Sequence, residues 1–366
     1  MHATATASPV KVLVIAPHEK LPSFQIGIRQ PFEALSKLGL IDYKVMEEEN
    51  SAGQTFIDSQ VIVFIRNTNK EAYALLQEAN RLNKRTIYSI DDHFLHLPNR
   101  GYGITMTDPE RRETFARFLT EAQTVRVGSP YFAKHIQENY NKSTVCIQAS
   151  VDFAWLEKAG VPTRSKQTLV IGYEGSYKED DFEQVIPALL TIMEEYKHRI
   201  RLEFHGYVPS ELIGHPGIVF FTGSSDYRTF MHILARRAWD IGIAPLQDSL
   251  YNRCKSNNKF REYSACRIPG IYSNLPTYAD CVSHEQTGIL TGHRTDDWYR
   301  AIKRLVEDEQ LRTHIRRKAY RYVQEHFTIE RCAAQWERLL TDKPTQVGLG
   351  GIRGEEIEAG SGLRAT

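Results

Sequence analysis

The segment Asn252–Asp280, NRCKSNNKFREYSACRIPGIYSNLPTYAD, concentrates residues that do chemistry. Within it Asn257–Cys266 reads as a helix, ended by Arg267-Ile268-Pro269 because proline disfavours helical backbone in the residue before it. Lys255, Ser256, Asn257 and Asn258 then sit at the helix N-terminus, where free N–H groups and the helix dipole attract an anion. Lys255 and Lys259 bring positive charge within reach of a phosphate, and Glu262 lies one turn after Lys259 on the same face. The plainer alternative is a Lys259–Glu262 surface ion pair, which contributes little to stability.

Further candidates follow strand-like runs. Gly175-Ser176, His205-Gly206 and Thr222-Gly223-Ser224-Ser225 each close one. Glycine there lets a ligand approach the backbone, or simply makes a tight turn. Asp91-Asp92-His93 follows TIYSI. Paired acids at such a place can orient an acceptor hydroxyl or take its proton, cap a helix, or join the histidine around a metal.

The elements that must position these residues alternate along the chain. Strands are expected at Lys11–Ala16, Val61–Ile65, Thr86–Ile90, Thr124–Gly128 and Thr144–Gln148, with helices at Arg29–Leu38, Lys70–Asn83, Pro109–Glu121 and Pro130–Glu138 between them. After a polar, turn-rich break at Ala159–Gln167 the order restarts with Leu169–Gly175, Arg201–Gly206, Ile218–Gly223, Asp240–Pro245, Pro269–Ser273 and Gly288–Thr291. Phe182, Val185, Ile186, Leu189, Met193 and Tyr196 form one helical stripe, with Asp180 or Asp181 as its cap and Pro187 forcing a bend or a late start. A helix from about Asp296 carries Trp298, Ile302, Leu305 and Val306, and a last one, Ile329–Leu340, carries Trp336, Leu339 and Leu340. The runs are apolar on both faces, as parallel strands covered by helices require. The fold class is therefore α/β, two doubly wound Rossmann-like domains facing a cleft. The expected divisions are 1–160, 161–328, a closing helix at 329–341, and a glycine-rich tail or linker at 342–366. Ligands in such sheets bind outside the carboxyl ends of the strands, so two domains face to face make the cleft the site.

Composition removes other classes. The 366 residues hold 46 Lys+Arg against 45 Asp+Glu, so no global field selects nucleic acid. Five scattered cysteines, with no CxxC pair, argue against a disulfide scaffold or a zinc site and fit a reducing compartment. The N-terminus lacks a basic n-region and no run is long enough to span a bilayer, so a cytoplasmic protein is expected. Arg300–Arg331 holds nine Lys/Arg against five Asp/Glu; this reads as a solvated face, or as a surface for peripheral contact with an anionic membrane. Tyr320, Val323 and Phe327 read as core packing.

The stretch Glu262-Tyr-Ser-Ala-Cys-Arg-Ile-Pro269-Gly-Ile-Tyr-Ser273, followed by Thr287-Gly288-Ile289-Leu290, resembles the EAMACGxPVIAS and TGxLV signatures of family-4 glycosyltransferases, which have the GT-B fold. The likeness extends over most of the second half, and in the first half covers the strand–helix order and the loop HEKLPSFQIGIRQPFEAL. It implies a retaining transferase that takes a sugar from a nucleotide-diphosphate sugar, with no cofactor beyond that donor and no metal. Carried over residue by residue, Glu262 binds the ribose hydroxyls, Thr222-Gly223 holds the base, and Lys255–Asn258 cradles the diphosphate and sugar. Gly175, Ser176 and His205 complete the donor rim. Lys255 or Lys259 stabilises the leaving diphosphate, while Asp91 takes the place of the family's strand-end histidine, with Asp92 or His93 next in line. The expected acceptor is a glycan, a lipid-linked sugar or another hydroxyl compound, reached from the cytoplasm or the inner face of a membrane. The chain is also read as a possible part of a larger multidomain polypeptide.

Three departures from the family pattern stand out. Cys254 occupies the place of the first glutamate of Glu-x7-Glu, Ser176 and a shifted Lys178 replace an Arg and Lys, and Arg267 replaces a glycine. They leave open a module that binds nucleotide or sugar without turnover. A nucleotide-sugar epimerase of the same architecture is the other alternative.

Overall fold

A computed structural model describes residues 8–18, 21–48, 58–98, 105–158 and 168–341. The break at 159–167 and the tail at 342–366 lie outside the described residues. Two six-stranded sheets form, every strand pair parallel. The first is built from β1 (Val10–Ala16), β2 (Ile41–Glu47), β3 (Val61–Ile65), β4 (Arg85–Ser89), β5 (Thr124–Val127) and β6 (Thr144–Cys146), in the order β2-β1-β3-β4-β5-β6. The second comprises β7 (Leu169–Glu174), β8 (Ile200–His205), β9 (Ile218–Phe221), β10 (Ile241–Ala244), β11 (Gly270–Ser273) and β12 (Ile289–Thr291), in the order β12-β11-β10-β7-β8-β9. The chain reverses direction across each sheet beside its first strand, which puts the crevices for ligands at the ends of β1/β3 and β7/β10.

Eleven of the twelve strands follow the apolar runs, within a residue or two at each end. The exception is β2, sequence IDYKVME, absent from the expected set. It is an edge strand with only Ile41 buried, so it never needed a continuous apolar run. Asn69, Asp108 and Ser129 cap the helices Lys70–Arg81, Pro109–Glu121 and Pro130–Asn139 with side-chain oxygens. Neither Asp180 nor Asp181 caps the next helix: it starts late, at Val185, with Pro187 in its first turn where proline is tolerated, and Asp181 is engaged elsewhere.

Each sheet lies between two apolar layers. The helices 185–196 and 295–307 cover one face of the second sheet; the helices 227–237, 258–265 and 309–326 cover the other. Val323 and Phe327 belong to that second layer, with Tyr320 half-buried beside it. On the first sheet one layer comes from helices 70–81, 109–121 and 130–139, and the other from the segment 22–37 together with the last helix, Ile329–Thr341. The chain thus returns to the first sheet at its end, with Val151 N–H donating to Phe327 O at 2.8 Å where the two connections run side by side.

Within that return one side chain also makes a long-range hydrogen bond. Between the helical pieces Pro22–Phe24 and Gln30–Lys37 lies a π-helical turn, Gln25–Arg29. Pro31 has no N–H to offer the Gly27 carbonyl four residues back. The indole N–H of the fully buried Trp336 donates to that carbonyl instead, at 2.9 Å. Trp336→Phe leaves the carbonyl unpaired and opens a cavity, and is expected to cost about 2–4 kcal/mol in denaturant unfolding.

Candidate active site in the interdomain cleft

The helix expected after Lys255 runs Asn258–Ala265 and ends in a cap that explains one departure. Arg267 N–H bonds Ser264 O, and Ile268 N–H bonds Tyr263 O, at 3.0 and 2.8 Å. This double bond at a helix end needs a left-handed residue, usually glycine. Arg267 takes it, with φ of 59°, and lays its guanidinium 3.7 Å over the Tyr320 ring.

Upstream of that helix, three glycines close adjacent strands of the second sheet. Gly175 N–H bonds His205 O and Gly206 N–H bonds Phe221 O, so the ends of β7, β8 and β9 are drawn together. Gly206 has φ of 86°, and a Cβ there would stand 2.7 Å from Gly175 O; at Gly223 a Cβ would stand 3.3 Å from Gly206 Cα. The rim is bare backbone because side chains do not fit. His205 lies beneath it, buried, flat against Phe230 at 6.0 Å, and its pKa is pushed down by burial. Ser176 and Thr222 are exposed at the edge.

Three lysines converge on this rim. Lys259 Nζ bonds both the carboxylate of Glu174, at 2.7 Å, and that residue's carbonyl. Lys178 pairs with Asp181 at 3.0 Å, and burial, then Lys255 and Lys259, outweigh that partner and bring its pKa down to about 8. Glu262 is buried and its Oε1 accepts from Tyr227 O–H at 3.1 Å. Burial and then nearby Glu174 raise its pKa to about 7. The Lys259–Glu262 ion pair does not form, because Glu174 at the end of β7 takes the lysine. Residue types alone did not single out Glu174, which passes as the last residue of an apolar run.

Asn257 and Asn258 are at the helix start, but their side-chain carbonyls bond the buried Arg261 rather than the cleft. Arg261 in turn donates to Ala149 O and Ser150 O at 2.7 and 3.2 Å, tying the helix to the interdomain connection.

Across the cleft, Asp91 and Asp92 follow β4. Arg66, immediately after β3 with a left-handed φ of 56°, bonds the carboxylate of Asp91 and stands 3.3 Å from that of Asp92. Burial alone would raise the Asp92 pKa, but Lys255 and Arg66 hold it at about 2. Arg66 was not anticipated, although it occupies after β3 the same strand-end place that drew attention to Asp91 after β4. The His93 ring is fully buried, stacks on Phe132 and meets His135 Nε2 at 3.1 Å, and burial first, then His96 and His135, push its pKa to about 3. Asp91, Asp92 and His93 therefore do not converge as a metal site would require.

Cys254, another of the departures, has its side chain in the apolar core of the first domain, fully buried. All five cysteines are free, three buried and two half-buried.

The architecture has solved counterparts. HepE of Anabaena, in complex with UDP and glucose, superposes with a TM-score of 0.65 at 14% identity, over 91% of this chain and 99% of that one. Sucrose-phosphate synthase of Thermosynechococcus elongatus gives 0.66 at 15%, over 90% and 98%. The fold is GT-B. The pneumococcal O-GlcNAc transferase GtfA, in complex with UDP and GlcNAc, gives 0.57 at 12%, over 76% of this chain and 56% of that one. No protein-family model matches the sequence, and neither does any curated protein. Among the described residues no helix is long and apolar enough to cross a membrane.

Proposed function

We propose that this chain is a glycosyltransferase that moves a sugar from a nucleoside-diphosphate sugar to a hydroxyl acceptor, with retention at the anomeric carbon. The observation that carries this is the gathering of Lys178, Lys255 and Lys259 beside Glu262 and the glycine rim, at the switch point of the second sheet, opposite a pair of acids on the first. A diphosphate between three ammonium groups relieves their mutual repulsion, and the N–H groups at the start of helix Asn258–Ala265 add further donors. A carboxylate at Glu262 is a double acceptor suited to a vicinal diol such as ribose. Gly206 and Gly223 leave room for a flat base beside Thr222, over His205. Departure of the diphosphate builds negative charge on its oxygens, where the lysines stabilise it. Asp92, held beside Asp91 by the donating Arg66, accepts the hydrogen bond of the acceptor hydroxyl. The bound UDP of the GT-B neighbours HepE and GtfA supports this reading of the donor, and the family-4 signature around Glu262 supports retention.

The test is a thermal-stabilisation screen of nucleoside diphosphates and their sugars, at concentrations well above the dissociation constant. It is followed by turnover with candidate acceptors and NMR of the product anomer. Stabilisation by none of them overturns the proposal; binding without acceptor-dependent nucleotide release leaves a binding module.

Affinity for the nucleoside diphosphate is expected to peak between about pH 7 and about pH 8. Below about 7 Glu262 takes up a proton and loses its charge; above about 8 Lys178 gives one up and loses its own. Calorimetry across this range checks both limbs. Lys178→Arg should flatten the alkaline one, since arginine stays charged.

A further inference from the structure

The segment that would cradle the diphosphate is docked on the opposite domain. Three consecutive residues do this. Cys254 places its thiol in the first domain's core and its carbonyl 3.0 Å from Ser129 Oγ. Ser256 Oγ fills the space a Cβ would need at Gly128. Between them Lys255 Nζ stands 3.2 Å from Asp92 Oδ1 and 2.9 Å from Tyr251 O–H. Lys178 lies close enough for its charge and that of Lys255 to repel one another.

Resting on the donor reading above, we propose that Lys255 exchanges partners, from Asp92 in the free protein to the diphosphate when donor arrives, and so makes Asp92 available to the acceptor only after donor is bound. The exchange costs Asp92 little, because Arg66 stays beside it at 3.3 Å. For Lys255 the gain is large, since a diphosphate carries more charge than one shared carboxylate and quenches its repulsion with Lys178. Once Lys255 has left, Asp92 loses one of the two cations that hold its pKa at about 2, and moves toward the range where a carboxylate can accept a hydroxyl proton. Lys255 is then both a donor ligand and the positioning residue that orders the two substrates.

Inorganic pyrophosphate is the probe, because it reports the diphosphate subsite whatever the base. Calorimetry on the full chain compares wild type with Asp92→Asn and Asp91→Asn, each first shown to unfold at the wild-type temperature. Asp92→Asn is expected to bind pyrophosphate about tenfold more tightly, since Lys255 no longer has to leave an ion pair. Asp91→Asn, whose carboxylate bonds Arg66, is expected to stay within about twofold. In turnover Asp92→Asn should lower the donor KM and kcat together, a split that a merely structural role does not produce. Equal tightening in both variants means general relief of negative charge and overturns the exchange, as does no tightening in Asp92→Asn. If none of the three proteins binds pyrophosphate, the donor-site reading itself fails and the exchange with it.

Discussion

Glu262→Ala is expected to weaken a nucleoside diphosphate by about a hundredfold or more, while inorganic pyrophosphate keeps its affinity. The size follows from the chemistry. A carboxylate accepting from two ribose hydroxyls makes charge-assisted hydrogen bonds of about 1.5–3 kcal/mol each, and a hundredfold is about 2.7 kcal/mol. Pyrophosphate has no ribose, so it separates the role of Glu262 from that of the lysines. The residue is buried on the helix Asn258–Ala265, whose N-terminus carries Lys259 one turn away. Titration of both probes against wild type and variant checks the result. If both lose affinity equally, Glu262 acts by holding the helix in place through Tyr227, and the ribose assignment is wrong. If neither changes, the donor site lies elsewhere.

Cys254→Glu writes the missing first glutamate of Glu-x7-Glu back into the chain, and is expected to harm the protein rather than restore a sugar ligand. The thiol lies fully buried in the core of the first domain, among the side chains that cover β3, β4 and β5. Burial pushes its pKa up to about 12, and nearby Asp92 pushes the same way, so the surroundings oppose negative charge. A carboxylate there must be buried without a partner or leave the core and undock the segment 254–256. Burying an uncompensated charge costs about 3–5 kcal/mol. Denaturant unfolding measures the loss; Cys254→Ser, smaller and uncharged, should lose less than half as much. Wild-type stability in Cys254→Glu would mean that this position faces the cleft after all.

Cys254 also shows where reading along the chain stopped. Its place in the motif was legible, eight residues before Glu262, and so was its departure from the pattern. That its side chain crosses to the other domain was not, since nothing local to NRCKSNN distinguishes a cleft-facing thiol from a docked one. The same limit separates Lys259 from Glu262. Their spacing allowed an ion pair, and only the approach of β7 to the helix start showed that Glu174 claims the lysine. Arg66 is a third case: an arginine after VIVFI is unremarkable until β3 and β4 lie side by side and bring it against Asp91 and Asp92.

Strand placement, by contrast, was nearly all legible, because a parallel strand covered on both faces needs an apolar run wherever it occurs. The omitted strand, β2, is an edge strand that does not bury both faces, and the helix Tyr227–Arg237 was also not expected. The glycines after β7, β8 and β9 could be picked out as residue types, but the contacts that exclude a side chain, Gly206 against Gly175 and Gly223 against Gly206, run between strands.

The sequence by itself therefore determined the alternation of strands and helices, the doubly wound class, and the residue types gathered at the strand ends. All of these depend on interactions between neighbours a few positions apart. Tertiary structure alone decided the long-range charge pairs. Lys255 meets Asp92 across 163 residues of chain, and Lys259 meets Glu174 across 85. Coulomb attraction and burial act through space, so partners this far apart are set by the packing of two sheets against one cleft.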